Sequence, residues 1–225
     1  MEPAIGAQEG GNEMASLQEL SEAIQKGNAA KAKELTAALL AAKTTAADVL
    51  NKGLLDGMEK VGKRFKVNEI YIPEVLIAAR AMNQSMDILK PELVKAGVKP
   101  IGKVILGTVK GDLHDIGKNL VKMMAQGAGI EVVDLGIDVS ADKFIQGFKD
   151  NLDAKAIGMS ALLTTTMTGM KDVIDKFDKE GLRRKVKFVV GGAPLTDLYA
   201  KEIGADGYAP DAASASEKLK SFLSG

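Results

Sequence analysis

The chain has 225 residues, 46% of them hydrophobic, and its 30 lysines and arginines are balanced by 30 aspartates and glutamates. That length admits one large domain or two small ones, and the apolar share is ample for a core. The charge balance gives no footing for nucleic acid or an anionic membrane, no stretch approaches the roughly 20 apolar residues of a membrane span, and the absence of cysteine excludes disulfides, thiolate metal sites and cysteine nucleophiles. Residues 1–15 are acidic and Gly-rich, lack the basic and apolar regions of a signal peptide, and read as a flexible tail; the cytoplasm is the expected location.

From Ser16 to about Lys95 the periodicity is helical throughout. Ser16-Leu17-Gln18-Glu19 has the form of a capping box, and Leu17, Leu20 and Ile24 follow at helical spacing up to the stop at Gly27-Asn28. Ala29 to Ala42 is rich in alanine and leucine. Thr45 can cap a third helix, in which Leu50, Leu54, Met58, Val61 and Phe65 form one stripe. Gly53, Gly57 and Gly62 are out of place there, each costing about 1 kcal/mol against alanine, unless another helix or a flat ligand comes close. Pro73 suits the first turn of a fourth helix carrying Val75, Leu76, Ala79, Met82, Met86 and Leu89. The expectation is a four-helix bundle over residues 16–91, then a linker over 92–100 that begins after Lys90-Pro91, in which Leu93 and Val94 can add one more helical turn.

The remainder, 101–225, alternates strand and helix. Strands are expected near 103–109, 131–135, 155–159, 186–190 and 207–209, and helices near 118–128, 140–150, 167–180, 194–203 and 212–223. Five such units make an α/β domain with a doubly wound, five-stranded parallel sheet of flavodoxin-like, Rossmann-like order.

In such a sheet the loops after the strands emerge at one edge. The first reads Lys110-Gly111-Asp112-Leu113-His114-Asp115-Ile116-Gly117-Lys118 and holds the only histidine, bracketed by two glycines. The third reads Ser160-Ala161-Leu162-Leu163-Thr164-Thr165-Thr166, and the fourth Gly191-Gly192-Ala193-Pro194. Singly, each has a plainer reading: a locally bonded histidine, hydroxyls capping the next helix, glycines serving a tight loop. Their convergence on one edge favours a ligand site. Counting removes several enzymes. His-Asp metallohydrolases need more histidines; no Gly-x-Ser-x-Gly elbow, Walker-A motif or Gly-x-Gly-x-x-Gly occurs, and a receiver domain would carry an aspartate where Ser160 stands.

Asp112-x-His114-x-x-Gly117, then Ser160-x-Leu162, then Gly191-Gly192 resembles, in residues and in spacing, the signature of cobalamin-binding domains that take the cofactor base-off and histidine-on. Leu55-Asp56-Gly57-Met58-x-x-Val61-Gly62-x-x-Phe65 with Tyr71-Ile72-Pro73 is similar to the helical cap beside that domain in methionine synthase. The pairing in one small protein resembles the corrinoid proteins of anaerobic methyltransferase systems acting on methanol, methylamines or aryl methyl ethers.

The resemblance implies a cobalamin or related corrinoid cofactor, cycling between methylcobalamin and cob(I)alamin, with His114 as the axial ligand to cobalt. Asp112 would accept from the other ring nitrogen, and Thr166 would be the next hydroxyl of a ligand relay. The nucleotide tail would run past Gly117, Ser160 and Thr164 beside Gly191 and Gly192, with the Tyr208–Ala212 segment closing the pocket. Gly111, Leu113, Asp115, Ile116 and Leu162 would complete the seat. Phe65 and Ile72 would shield the upper face, near which Asn51 stands where methionine synthase has glutamate. The implied role is a non-catalytic methyl carrier between a substrate:corrinoid methyltransferase and a corrinoid:acceptor methyltransferase using tetrahydrofolate or coenzyme M, with a reductive activation protein as a further partner. The alternatives are the cobalamin-binding subunit of an adenosylcobalamin mutase and a cobalamin sensor.

Overall fold

In the computed structural model, which describes residues 17–223, the chain divides between Lys99 and Pro100 into two compact units. The expected tail and the cap at Ser16 lie outside the described residues. In the first unit, α1 (17–25), α2 (Ala29–Ala41), α3 (Ala46–Asp48), a π-helical stretch (Val49–Leu55), α4 (Asp56–Lys66) and α5 (Ile72–Lys95) enclose a core that includes Leu20, Ile24, Leu54, Val61, Val75 and Leu89. The caps follow local chemistry. Asn28 accepts from the Lys31 N–H, Thr45 accepts from the Asp48 N–H, and the Glu74 carboxylate accepts from the Tyr71 N–H at the start of α5.

Two features differ from the sequence reading. The third helix is not regular but widens into the π stretch, whose hydrogen-bond geometry is poorer than that of an α-helix. Close packing against α1 offsets this. A Cβ at Gly53 would lie 2.6 Å from Leu20 Cδ2, and one at Gly57 would lie 2.8 Å from Ile24 Cβ, so a neighbouring helix accounts for both glycines. Asn51 lies exposed in the same stretch. The second difference is Pro91, which sits inside α5 rather than ending it. An interior proline costs about 3 kcal/mol, but Leu89 and Leu93 are buried on either side and hold the helix through to Lys95.

The second unit is a five-stranded parallel sheet of order β2-β1-β3-β4-β5, built from β1 (Lys103–Thr108), β2 (Glu131–Asp134), β3 (Ala154–Ser160), β4 (Lys187–Gly191) and β5 (Gly207–Ala209). Between them run α6 (Ile116–Gly127), α7 (Ala141–Lys149), α8 (Thr168–Lys179) and α9 (Asp197–Glu202), and α10 (Ala212–Leu223) follows β5. A single 3-10 turn at Arg183–Lys185 precedes β4. Alternation along each strand sends successive side chains to opposite faces. Ile105, Ile157, Phe188 and Val190 join Phe144, Phe148, Met170 and Phe177 in one core layer. Val104, Ala156 and Val189 join Ala125, Ile130 and Leu219 in the other. Phe148, Phe177 and Phe188 form a ladder of one tilted and one edge-to-face contact with ring centroids 5.6 and 5.1 Å apart, and the Arg183 guanidinium lies 5.0 Å from the Phe188 ring. Helix α9 is shorter than expected because Thr196 caps it, accepting from the Tyr199 N–H, after Leu195 has closed a turn onto the Gly192 carbonyl.

Candidate functional site at the sheet edge

Strand β1 is apolar and buried up to Thr108, after which the chain turns. The Asp112 N–H donates to the Val109 carbonyl at 3.1 Å, with Gly111 at φ +82°, a value that the third position of a type II turn demands. The Thr108 hydroxyl donates to the His114 carbonyl at 3.0 Å, so the loop is fastened where it leaves the strand and again where it enters α6. Buried Lys118, in the first turn of α6, donates to both Asp134 oxygens at 2.7 and 2.8 Å, tying that helix to the end of β2. Burial alone would push the Asp134 carboxyl up; hydrogen bonds from Lys118, the Gly136 N–H and Lys122 outweigh it and hold it below its ordinary value.

Asp112 is the hub. Its side chain is fully buried, and five donors converge on it. Oδ1 faces His114 Nδ1 at 2.7 Å and accepts from the His114 N–H at 3.1 Å. Oδ2 accepts from the Leu162 N–H at 2.7 Å, the Leu163 N–H at 3.3 Å and the Thr166 hydroxyl at 2.7 Å. Burial by itself would raise this carboxyl, but the bonds from Thr166, Leu162 and His114 more than reverse it and hold Asp112 well below the carboxylate range. An ionised Asp112 can only accept, so the His114 proton belongs on Nδ1 and the Nε2 lone pair is left open. The ring is half-exposed. The arrangement is an imidazole whose inner nitrogen is oriented by a carboxylate and whose outer nitrogen faces outward, the form in which histidine serves as a metal ligand.

The other residues named from sequence are placed as follows. Ser160 ends β3, in register with Thr108 on one side and Gly191 on the other, and is partly buried. Leu162 contributes its N–H to Asp112, while Thr164 is exposed. Asp115 is exposed and accepts from the Asn119 side chain at 2.9 Å. Ala212 is buried at the start of α10, whose first turn Asp211 caps by accepting from the Ser214 N–H. Phe65 ends the buried stripe of α4 partly buried, and Ile72 opens α5 exposed beside exposed Tyr71; both belong to the first unit. The sequence reading gives no site role to Thr108, Lys118 or Asp138, whose bonds to His114, Asp134 and Gly111 are not signalled by local pattern.

The glycines divide into two kinds. A Cβ on Gly192, at φ +135°, would fall 1.8 Å from the Ala161 carbonyl oxygen, and one on Gly191 would fall 2.9 Å from the Ala209 oxygen. The close approach here is of one strand end to the next, so packing of the sheet alone demands these two. Gly192→Ala is expected to destabilise the protein by at least about 3 kcal/mol, read as a lowered urea midpoint. Gly117 is different: a Cβ there meets nothing within 4 Å, and no positive φ requires glycine. What glycine provides at 117 is room beside the histidine.

That room and the surroundings suit a flat macrocycle that brings its own metal. Leu113 and Ile116 flank the imidazole 68% and 70% exposed, and Leu162 and Leu163 are also exposed, an apolar collar of the kind that marks a binding surface. Among the described residues no group of three or more His, Cys, Asp or Glu could hold a metal ion by themselves. His114 therefore fits as a single axial ligand to a metal already held in a ring.

A parallel sheet whose first carboxyl-edge loop carries a carboxylate-oriented histidine has the architecture of an α/β cofactor-binding protein. Family models described as B12 binding domain match residues 102–217 and residues 16–90. The dimethylamine corrinoid protein 2 of Methanosarcina acetivorans is 44% identical over 213 residues, covering 93% of this chain and 96% of that protein. Among solved structures, a cobalamin-binding protein from Desulfitobacterium hafniense matches with a TM-score of 0.76 and 31% identity, over 92% of this chain and 98% of that one. A methanol:cobalamin methyltransferase complex from Methanosarcina barkeri matches with a TM-score of 0.82 and 27% identity, over 100% of this chain and 87% of that one. The chain belongs to the B12 binding domain family, among the corrinoid proteins of methyltransferase systems, and its cofactor is a corrinoid.

Proposed function

We propose that the protein receives a methyl group from a substrate-specific methyltransferase and presents it to a second methyltransferase whose acceptor is tetrahydrofolate or coenzyme M. A reductive activation protein completes the set of partners. The observation that carries this reading is the open Nε2 of His114 opposite an Nδ1 fixed 2.7 Å from Asp112. The names of the relatives, which are corrinoid proteins of methylamine systems, support the methyl-carrying role. When bound, the corrinoid supplies the cobalt on which a methyl group is carried.

The chain's own residues do the rest. Asp112 keeps the imidazole proton on Nδ1 and raises the donor strength of Nε2. Thr166 and the Leu162 N–H keep Asp112 ionised by bonding its far oxygen. The exposed apolar side chains of the first unit, Val67, Tyr71 and Ile72, form a surface suited to covering an apolar face. Gly117 and Ser160 leave space and a hydroxyl for the cofactor's polar tail.

The reading is tested with protein labelled with 15N-histidine, loaded with hydroxocobalamin and reduced to the cobalt(II) state. The expected electron paramagnetic resonance spectrum shows splitting from one axial nitrogen that changes with the label; splitting indifferent to the label overturns the assignment. Methyl transfer from a methylamine to coenzyme M or tetrahydrofolate, with the two methyltransferases supplied, tests the carrier role itself. Gly117→Leu should fold at least as well as the parent, since helix propensity favours leucine by about 1 kcal/mol. Its uptake of hydroxocobalamin, followed by gel filtration and absorbance, should fall at least tenfold.

A further inference from the structure

Asp138 lies on the loop after β2, outside the motif residues, and its backbone sits at φ +52°. Such a conformation is uncommon for a residue with a side chain, although aspartate and asparagine tolerate it best. The strain coincides with a set of bonds to the histidine loop. The Asp138 carboxylate accepts from the Gly111 N–H at 2.7 Å, and the Asp138 N–H donates to the Asp112 carbonyl at 3.1 Å. On either side, the Thr108 N–H donates to the Gly136 carbonyl at 3.0 Å and the Val139 N–H to the Thr108 carbonyl at 2.9 Å. Residues 136–139 thus form a strap along the end of β1.

We infer that Asp138 is a positioning residue for the Asp112–His114 pair, acting by holding the Lys110–Gly111 peptide in one of its two orientations. Type I and type II turns differ by a flip of that central peptide, which carries the Gly111 N–H. A carboxylate fixed against this N–H selects the orientation in which Gly111 has φ +82° and Asp112 directs its side chain to His114 and the third loop. Asp138 makes no hydrogen bond to His114; it works through the turn. Positive φ and a short acceptor are both needed, which aspartate and asparagine supply and alanine does not.

The inference rests on the corrinoid reading, and its test separates the two. Asp138→Gly keeps the backbone conformation without strain and removes only the acceptor, whereas Asp138→Asn keeps both. In the full-length protein without cofactor, amide exchange at Gly111 should be about tenfold faster in Asp138→Gly than in the parent and unchanged in Asp138→Asn. After loading with hydroxocobalamin and reduction to cobalt(II), Asp138→Gly should show a mixture of histidine-ligated and unligated centres by electron paramagnetic resonance, with the ligation constant down about tenfold. Asp138→Asn should match the parent. Equal ligation in Asp138→Gly and the parent, or Asp138→Asn behaving like Asp138→Gly, overturns the positioning role and leaves the carrier reading intact. A parent protein that shows no histidine ligation overturns the carrier reading, and this inference falls with it.

Discussion

His114→Ala should fold normally and lose the axial nitrogen of the bound corrinoid. The side chain is half-exposed, and the bonds that fasten the loop, from the Thr108 hydroxyl to the His114 carbonyl and from the His114 N–H to Asp112, run through its backbone. Truncation loses only the Nδ1 bond to Asp112 and should lower the unfolding free energy by about 1–2 kcal/mol. Ligation is another matter, because among the described residues nothing else stands ready to replace Nε2. Altering groups that merely orient a ligating histidine already costs 10–100-fold in metal affinity as a rule, so loss of the ligand itself should cost roughly 100-fold or more in hydroxocobalamin retention. The checks are the cobalt(II) resonance spectrum and the fraction of cofactor surviving gel filtration. An unaltered axial nitrogen in His114→Ala would remove the foundation of the site.

Asp112→Asn should damage both stability and ligation. The carboxylate accepts from five donors, and an amide offers one oxygen and one further pair of N–H donors in their midst. If the amide nitrogen faces Leu162 and Thr166, buried donors oppose each other. If it faces His114, Nδ1 must become an acceptor and the ring proton moves to Nε2, which blocks the metal-binding atom. The stability loss should be about 3 kcal/mol, measured as a shift in urea midpoint, and cofactor affinity should fall between 10- and 100-fold.

The pH dependence follows from the sign of the Asp112 shift. Its folded-state value is depressed, so its contribution to stability is fully present above the unfolded value near pH 4 and is lost as pH falls through the folded value. The stability gap between the parent and Asp112→Asn without cofactor should therefore be constant from about pH 5 upward and shrink progressively below about pH 4. A gap that widens toward acid would mean that Asp112 is not held ionised by the fold.

Much of the architecture is legible in the sequence because local and global preferences agree. Val104-Ile105-Leu106 can only be a buried strand, Pro73 and Glu74 open a helix, and five repetitions of strand and helix leave few topologies. The parts that escape have physical reasons. A π stretch differs from an α-helix by one residue in the span of each hydrogen bond, which a stripe of Leu50, Leu54 and Met58 does not resolve. Pro91 looks like a terminator because its cost is local, whereas the burial of Leu89 and Leu93 that outweighs it is tertiary. At the site, the loop with the lone histidine stands out by composition and position. The partnership of Asp112 with Thr166, 54 residues away, is reached only through resemblance, since residue spacing says nothing of which lone pair meets which hydroxyl. Asp138 is silent for a related reason. It reads as an ordinary loop aspartate until its backbone angle and the Gly111 N–H are seen together.

The aromatic ladder has a bearing on how such a protein can change over generations. Phe148 and Phe177 lie near the carboxyl ends of their helices, and Phe188 near the amino end of its strand, so these three rings gather at the rim opposite the histidine. Anchorage and chemistry are thereby kept at opposite poles of one sheet. A lineage can rewrite the loops at the working rim, to suit a different neighbour, while the far rim goes on holding the strands in register.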